Sequence, residues 1–355
     1  MMKCNKLFLA ALAGAVFLVS CSNDNDDSQN APLGRYDNGF LVLNQGNFGS
    51  ANSNVSYISN DFLIQENNIF SSANPATAMG DTGQDIGFYQ NLAFIVLNGS
   101  NKIQIVNRYT FQSVAVISQG LSNPRYIAFA NGRGYVTNWG SGSNPADDFV
   151  AVVDLNSYAV ASTIPVAEGP EKIIENDGRL YVAHAGGFGF GATVSVISAA
   201  SNTVTSTIPV GDVPNALEIE NGVLYVLCGG IPSWTGSQTA GSLKQINLGS
   251  SETASYAFPA GSHPSNMVIE DGKIYYTVNS NIYSKALNAA LPAAPLFSAS
   301  EAQGIYSFAV RNNKVFVGDA LDYNSNGKVY IYSLAGTLQN QYTAGIIPAG
   351  FYFND

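Results

Sequence analysis

Between positions 124 and 210 apolar and polar residues alternate in short runs, and the same arrangement is written twice. The first copy reads P-R-Y-I-A-F-A-N-G-R-G-Y-V (124–136), F-V-A-V-V-D-L (149–155) and Y-A-V-A-S-T-I-P-V (158–166). The second reads P-E-K-I-I-E-N-D-G-R-L-Y-V (170–182), T-V-S-V-I-S (193–198) and N-T-V-T-S-T-I-P-V (202–210). A period of two is the mark of half-buried strands. Asn131-Gly132 and Asp177-Gly178 sit between the first two runs of each copy, which predicts tight hairpins with positive φ at the turn. Four short strands recurring every ~45 residues predict a β-propeller.

The pattern extends over the chain from position 37 to position 355. Second-strand runs occur at 40–46, 93–99, 134–140, 180–186, 224–230, 274–280 and 315–321, and third-strand runs at 55–60, 103–108, 150–155, 194–199, 243–248, 282–287 and 329–334. Seven of each give an all-β, seven-bladed propeller of four-stranded blades. First-strand runs precede six of the second strands, but F-L-V-L-N-Q-G (40–46) has only Asp37-Asn38-Gly39 upstream. The missing run is P-A-G-F-Y-F-N-D (348–355) at the far end. The C-terminal strand is therefore expected to complete the N-terminal blade, closing the ring without an open sheet edge.

Ahead of the repeats, Lys3 and Lys6 precede an apolar run at 7–19, too short for a mature membrane span, so residues 1–20 are expected to be a signal peptide. Leu18-Val19-Ser20-Cys21 resembles the lipobox of bacterial lipoproteins, and by that resemblance Cys21 carries the lipid that anchors the chain in the outer membrane. Residues 21–36, with Asp24, Asp26 and Asp27 near their start, are too polar to fold and read as an acidic tether. Such a run behind a lipidated Cys resembles the signal for surface exposure. Loss of residues 1–20 removes two lysines and no acid, so the net charge of −10 becomes −12. With no basic stripe, that charge excludes nucleic acid as a partner.

Chemistry that the chain lacks narrows the function further. A lone Cys228 follows the apolar run 224–227, the setting of a buried, inert thiol. His184 and His263 show no zinc-ligand spacing, so neither a metal site nor an enzyme is expected. Asp322, Asn324, Asn326 and Gly327 match the front half of a calcium loop, but the twelfth position is Ser333 instead of a bidentate Glu. That stretch reads as a hairpin loop, with calcium as a secondary expectation. The Gly-rich 186–191 precedes no helix and so is no phosphate loop.

Aromatic residues fall into two groups by phase. Phe94, Tyr135, Tyr181, Tyr225, Tyr275 and Phe316 recur at one point of each repeat and are expected to pack between blades. Phe48, Trp139, Phe188, Phe190, Trp234 and Tyr323 break the repeat and lie between second and third strands. In a propeller these connections share a face with the links between blades, which bring Asp85, Arg125, Glu171, Asn215, His263 and Gln303. Loops of unequal length rich in aromatics, amides and hydroxyls suit a large neutral ligand. The expected ligand-binding residues are Trp139, Trp234, Tyr323, Phe188, Phe190, His184, Arg125 and Phe48.

The repeat P-x-x-I…N-G-x-x-Y-V…V-x-V-x-D…T-I-P-V over residues 38–355 resembles the YncE-like, surface-layer-type propellers. The lipobox, acidic tether and G-F-L-V-L-N-Q-G-N-F-G (39–49) are similar to the surface lipoproteins of the BtuG type. That resemblance implies capture of cobalamin and its delivery to a TonB-dependent outer-membrane transporter. A glycan would stack on Trp139 and Trp234 equally well. A propeller lyase or quinoprotein would need convergent His or carboxylates, of which the sequence supplies few.

Overall fold

The computed structural model describes residues 32–141, 144 and 146–354. The signal peptide, Cys21 and the acidic run lie outside the described residues. Seven four-stranded antiparallel sheets succeed one another along the chain, and each is one blade, numbered 1 to 7 from the one that holds Gly39–Asn44. The innermost strands are Gly83–Tyr89, Pro124–Ala130, Pro170–Asn176, Pro214–Glu220, Pro264–Glu270, Ser307–Arg311 and Pro348–Phe353. They pack side by side around the axis in that order, the last against the first. Among the described residues no helix is long and apolar enough to cross a membrane.

Each hairpin from a first to a second strand turns where the sequence provides for it. Asn131-Gly132, Asp177-Gly178, Asn221-Gly222 and Asp271-Gly272 all hold positive φ at both positions, the geometry of two-residue hairpins that match strand twist. The second strands are buried on both faces and the third strands largely so, whereas the outermost strands are mainly exposed, and Gln65–Glu66 and Phe297–Ser298 are only two residues long. The two-residue outer strands of blades 1 and 6 present little edge for another chain to extend.

Apolar residues fill the spaces between neighbouring blades. Tyr135 of blade 3 packs with Ile173, Leu180 and Ile197 of blade 4, and its hydroxyl donates to Asn202 Oδ1 at 2.8 Å. Tyr181 reaches Leu217 and Val226 of blade 5 in the same way, and Phe316 of blade 7 reaches Phe40 and Val42 of blade 1. The aromatics that keep phase with the repeat are thus the joints between blades.

The ring closes as the sequence predicts. Gly39–Asn44 pairs on one side with Asn54–Ser59 and on the other with Pro348–Phe353, with Phe40 opposite Phe353 and Leu41 opposite Tyr352. Across the seam from blade 7, Gly345 N donates to Asn44 Oδ1 and Tyr342 Oη to the carbonyl oxygen of Phe62. A short helix, Ile69–Ala73, buries Ile69 and Phe70 between blades 1 and 2. The first described residues lie on the hairpin face, where Tyr36 N donates to the carbonyl oxygen of Tyr109. Inner strands begin on the opposite face, and there the long loops gather.

A candidate ligand-binding face around a polar axial cavity

On the loop face a cavity of about 330 Å³ opens at the propeller axis. Its wall is set by one register position. The second residue of six inner strands lines it (Gln84, Arg125, Glu171, Asn215, Ser265 and Ala349), and Tyr306, immediately before Ser307–Arg311, takes the same place in blade 7. Register shifts just inside the start of the inner strands, as between Pro170 and Ile173, accompany this placement. Such bulges re-aim side chains at strand ends. Every blade therefore contributes to one polar opening.

Opposite charges in that wall are paired. Arg125 holds Glu171 through two hydrogen bonds, Nε to Oε2 at 2.9 Å and Nη2 to Oε1 at 2.7 Å. Both side chains are about 15% exposed, at 15% and 14%. Burial works against the guanidinium charge, but the adjacent carboxylate outweighs it and leaves the Arg125 pKa raised. Deeper, the Lys172 ammonium lies 3.8 Å from the centre of the Tyr126 ring, whose hydroxyl accepts from Gln84 Nε2 at 2.9 Å. Asp85 accepts from the backbone N of Ile127 at 3.0 Å and from Tyr352 Oη at 3.1 Å. Burial raises its pKa, opposed by Lys172 and by these donors. Glu218 on the same stretch of blade 5 is pushed up to about 7 by burial, with Lys172 opposing and Glu220 adding.

Two aromatic groups flank the mouth. At blades 3 and 4, the Arg125 guanidinium lies 4.1 Å from the Trp139 ring, and Phe188 meets that ring edge-on at 5.9 Å. Trp139 is half-buried, and its Nε1 donates to the carbonyl oxygen of Pro170 at 3.1 Å. Gly169 allows this close approach of loops, since a Cβ there would lie 1.9 Å from Gly187 N. At blades 7 and 1, Tyr323 meets Tyr306 edge-on at 5.9 Å, and Asn47 Nδ2 donates to the carbonyl oxygen of Tyr323. Tyr306 Oη donates to Gln45 Oε1 at 2.6 Å, and burial pushes its pKa up to about 12.

The structure sorts the expected site residues. Arg125, Trp139 and Phe188 come together beside the cavity, and Tyr323 stands at its other side. Trp234, on the 3-10 turn Ser233–Thr235, and Phe48 are over 80% exposed, at 82% and 81%, but lie on separate loops. Phe190 is about half exposed. His184 corrects the expectation: it is the last residue of Arg179–His184, 1% exposed, with Nε2 at 2.8 Å from Ser195 Oγ. Strand alternation turns it inward, and burial lowers its pKa to about 4. Asp85 is corrected too, since it sits in the axial channel instead of on a link. Asp322 closes a turn, its Oδ1 accepting from the backbone N of Asn324 and of Ser325. Cys228 is buried and its thiol pushed up to about 11, as an inert thiol requires.

Gln45, Gln84, Tyr126, Lys172, Ser265, Asn266 and Tyr306 line the cavity, and the loop-phase reading missed them. Tyr126, Lys172, Ser265 and Asn266 carried a signal, as members of the pair of residues after the proline that opens an inner strand; Gln45, Gln84 and Tyr306 carried none. Asn215 adds a further feature. Its Nδ2 donates to the carbonyl oxygen of Pro264 at 2.9 Å, which fixes the amide, and its Oδ1 is buried without a partner. A buried acceptor left unsatisfied costs about 1–3 kcal/mol.

Residues 38–348 match a domain of unknown function, DUF5074. The chain belongs to this family. Among curated proteins, none matches it. This DUF5074 chain is similar in structure to a quinoprotein alcohol dehydrogenase-like protein from Bacteroides thetaiotaomicron, with a TM-score of 0.68 and 13% identity over 90% of this chain and 79% of that one. Hydrazine synthase of Kuenenia stuttgartiensis matches with a TM-score of 0.58 and 16% identity, over 73% of this chain and 85% of that one. BamB of Moraxella catarrhalis gives 0.53 and 14%, over 86% and 83%. At these identities the DUF5074 chain shares the propeller fold with them.

Proposed function

We propose that this protein is a surface-held lipoprotein that captures a large, neutral, polar ligand on the loop face of its propeller. The observation that carries the reading is the arrangement of the mouth: a polar axial cavity contributed by all seven blades, flanked by Trp139 and Phe188 on one side and Tyr306 and Tyr323 on the other. Aromatic faces at an exposed rim offer stacking area, and paired charges with surrounding amides offer hydrogen bonds without a net field.

Cobalamin is the first ligand to test, because the BtuG-type resemblance implies it and its rim of amides suits the rim of this face. A corrin ring is too broad for the cavity and would rest across the mouth. On that reading Cys21 holds the propeller at the outer membrane and a TonB-dependent transporter receives the ligand. A glycan is the alternative, favoured by the exposed Trp234. Passing the propeller with cobalamin over a sizing column tests the first reading, since the coloured ligand must coelute. A glycan array probed with the same protein tests the second. A folded protein that binds neither ligand overturns the proposal.

A further inference from the structure

We propose that the axial cavity is a separate subsite for one neutral, polyhydroxylated group of pyranose size, a free monosaccharide or the end residue of a glycan. The inference rests on the loop face being a ligand surface, but on different side chains from the rim aromatics. Three observations carry it.

The first is size. About 330 Å³ lies at the small end of ligand pockets, large enough for a compact ring and too small for a macrocycle. The second is charge. Arg125 is committed to Glu171 through Nε and Nη2, and Lys172 lies on Tyr126 with Asp85 close enough to stabilise its charge. An ionic ligand finds its counter-charges already engaged and would have to break a mostly buried pair. The third is hydrogen-bonding capacity. Gln45, Gln84, Asn215 and Asn266 bring four side-chain amides to the wall from four different blades. Asn215 Oδ1 lacks a donor, while its Nδ2 is held by Pro264. Planar amides, each able to give and take a hydrogen bond, match vicinal hydroxyls, which also give and take. Tyr306 supplies an aromatic wall beside them.

The test titrates the folded propeller with the methyl glycosides of glucose, galactose, mannose and N-acetylglucosamine by calorimetry. At least one is expected to bind saturably at millimolar concentration. Gln84→Ala should weaken that binding about tenfold, as loss of a hydrogen bond to a ligand does. Ala349→Leu, which fills the cavity without removing a polar group, should abolish it, and Leu63→Ala, an exposed change on the opposite, hairpin face, should leave it unchanged. Thermal melts of each variant check that the ring is intact. No saturable binding by the folded wild type overturns the inference, as does binding that Ala349→Leu leaves intact. If cobalamin or a long glycan binds through Trp234 and Tyr323 while Ala349→Leu binds like wild type, the loop-face reading stands and the subsite falls. If a glycoside binds and only the axial variants weaken it, the subsite stands; the rim reading falls only if the same folded protein binds neither cobalamin nor a long glycan.

Discussion

The side-chain amide of Asn354 donates to the carbonyl oxygen of Tyr36, 318 positions earlier, at 2.6 Å. The same nitrogen donates to the carbonyl oxygen of Arg108 at 2.8 Å. One buried residue thus ties the first described segment, blade 2 and the closing strand together. Asn354→Ala leaves both acceptors unsatisfied and is expected to cost about 1–3 kcal/mol. Deleting residues 348–355 removes the inner strand of blade 1 as well, and should unfold the ring under conditions where Asn354→Ala still melts cooperatively. Circular dichroism melts of the two variants check this; a deletion that melts within a few degrees of wild type overturns closure through this strand.

Stability and binding should separate at the aromatics. Trp234→Ala and Tyr323→Ala alter exposed rings and should change unfolding by well under 1 kcal/mol, while weakening capture of an identified ligand by about 2 kcal/mol if either is a hot spot. Tyr181→Ala opens the joint between blades 4 and 5 and should cost about 3–5 kcal/mol of stability. Trp139 belongs to neither class, because its ring packs on Arg125 and its Nε1 bonds to Pro170. Trp139→Ala should lower both. Denaturant titrations beside ligand titrations read the two quantities separately.

Glu218 predicts a pH dependence. Its folded pKa, about 7, lies above its ordinary 4.5, so the fold holds a proton that the unfolded chain releases. Stability is lost as pH rises through that window, by up to about 2–3 kcal/mol. His184, lowered from 6.5 to about 4, works the other way and loses stability as pH falls through its window. In wild type the two slopes oppose each other between these values. Glu218→Gln should remove the first, so that its stability advantage over wild type grows with pH and levels off above pH 7. Urea unfolding of both proteins at pH 5, 6, 7 and 8 measures the difference; an advantage independent of pH overturns the assignment.

Breaking the pair at the cavity wall should be costly for a surface-facing site. Glu171→Gln keeps the shape but leaves the mostly buried Arg125 guanidinium without its counter-charge, at about 2–4 kcal/mol. The double change Glu171→Gln with Arg125→Met should recover much of that loss, because neither new side chain carries a charge and both desolvation penalties are removed. Non-additivity in the double-mutant cycle is the readout.

Blade number, hairpin turns and ring closure were legible in the sequence because each is written as a period or as its interruption. Tyr135 and Tyr181 keep phase, and packing between blades is the physical reason a residue keeps phase. The cavity was less legible. Arg125, Glu171 and Asn215 were visible as links, but alternation alone assigns no direction to a residue at a strand's first bulge, and the bulge decides that these side chains line the axis. Lys172 stayed hidden for the same reason, and Asp85 was read as a link although it lies inside the inner strand Gly83–Tyr89. His184 was misplaced because a histidine near a strand end reads as a loop residue, whereas its strand runs on through that position and buries it against Ser195.

The pairing of Gly39–Asn44 with Pro348–Phe353 also orders events in time. Whether from a ribosome or through an export channel, the chain emerges N-terminus first, so the first blade waits, three strands wide, while six complete ones are added. Throughout that interval Phe40, Leu41 and Val42 lie on an open edge, in a chain whose last contacts are its most distant. Long-range pairing of this kind is slow and leaves the unfinished molecule prone to association. A chain clipped before residue 348 keeps that seam unsealed, with the apolar edge of Gly39–Asn44 open to pairing with another chain.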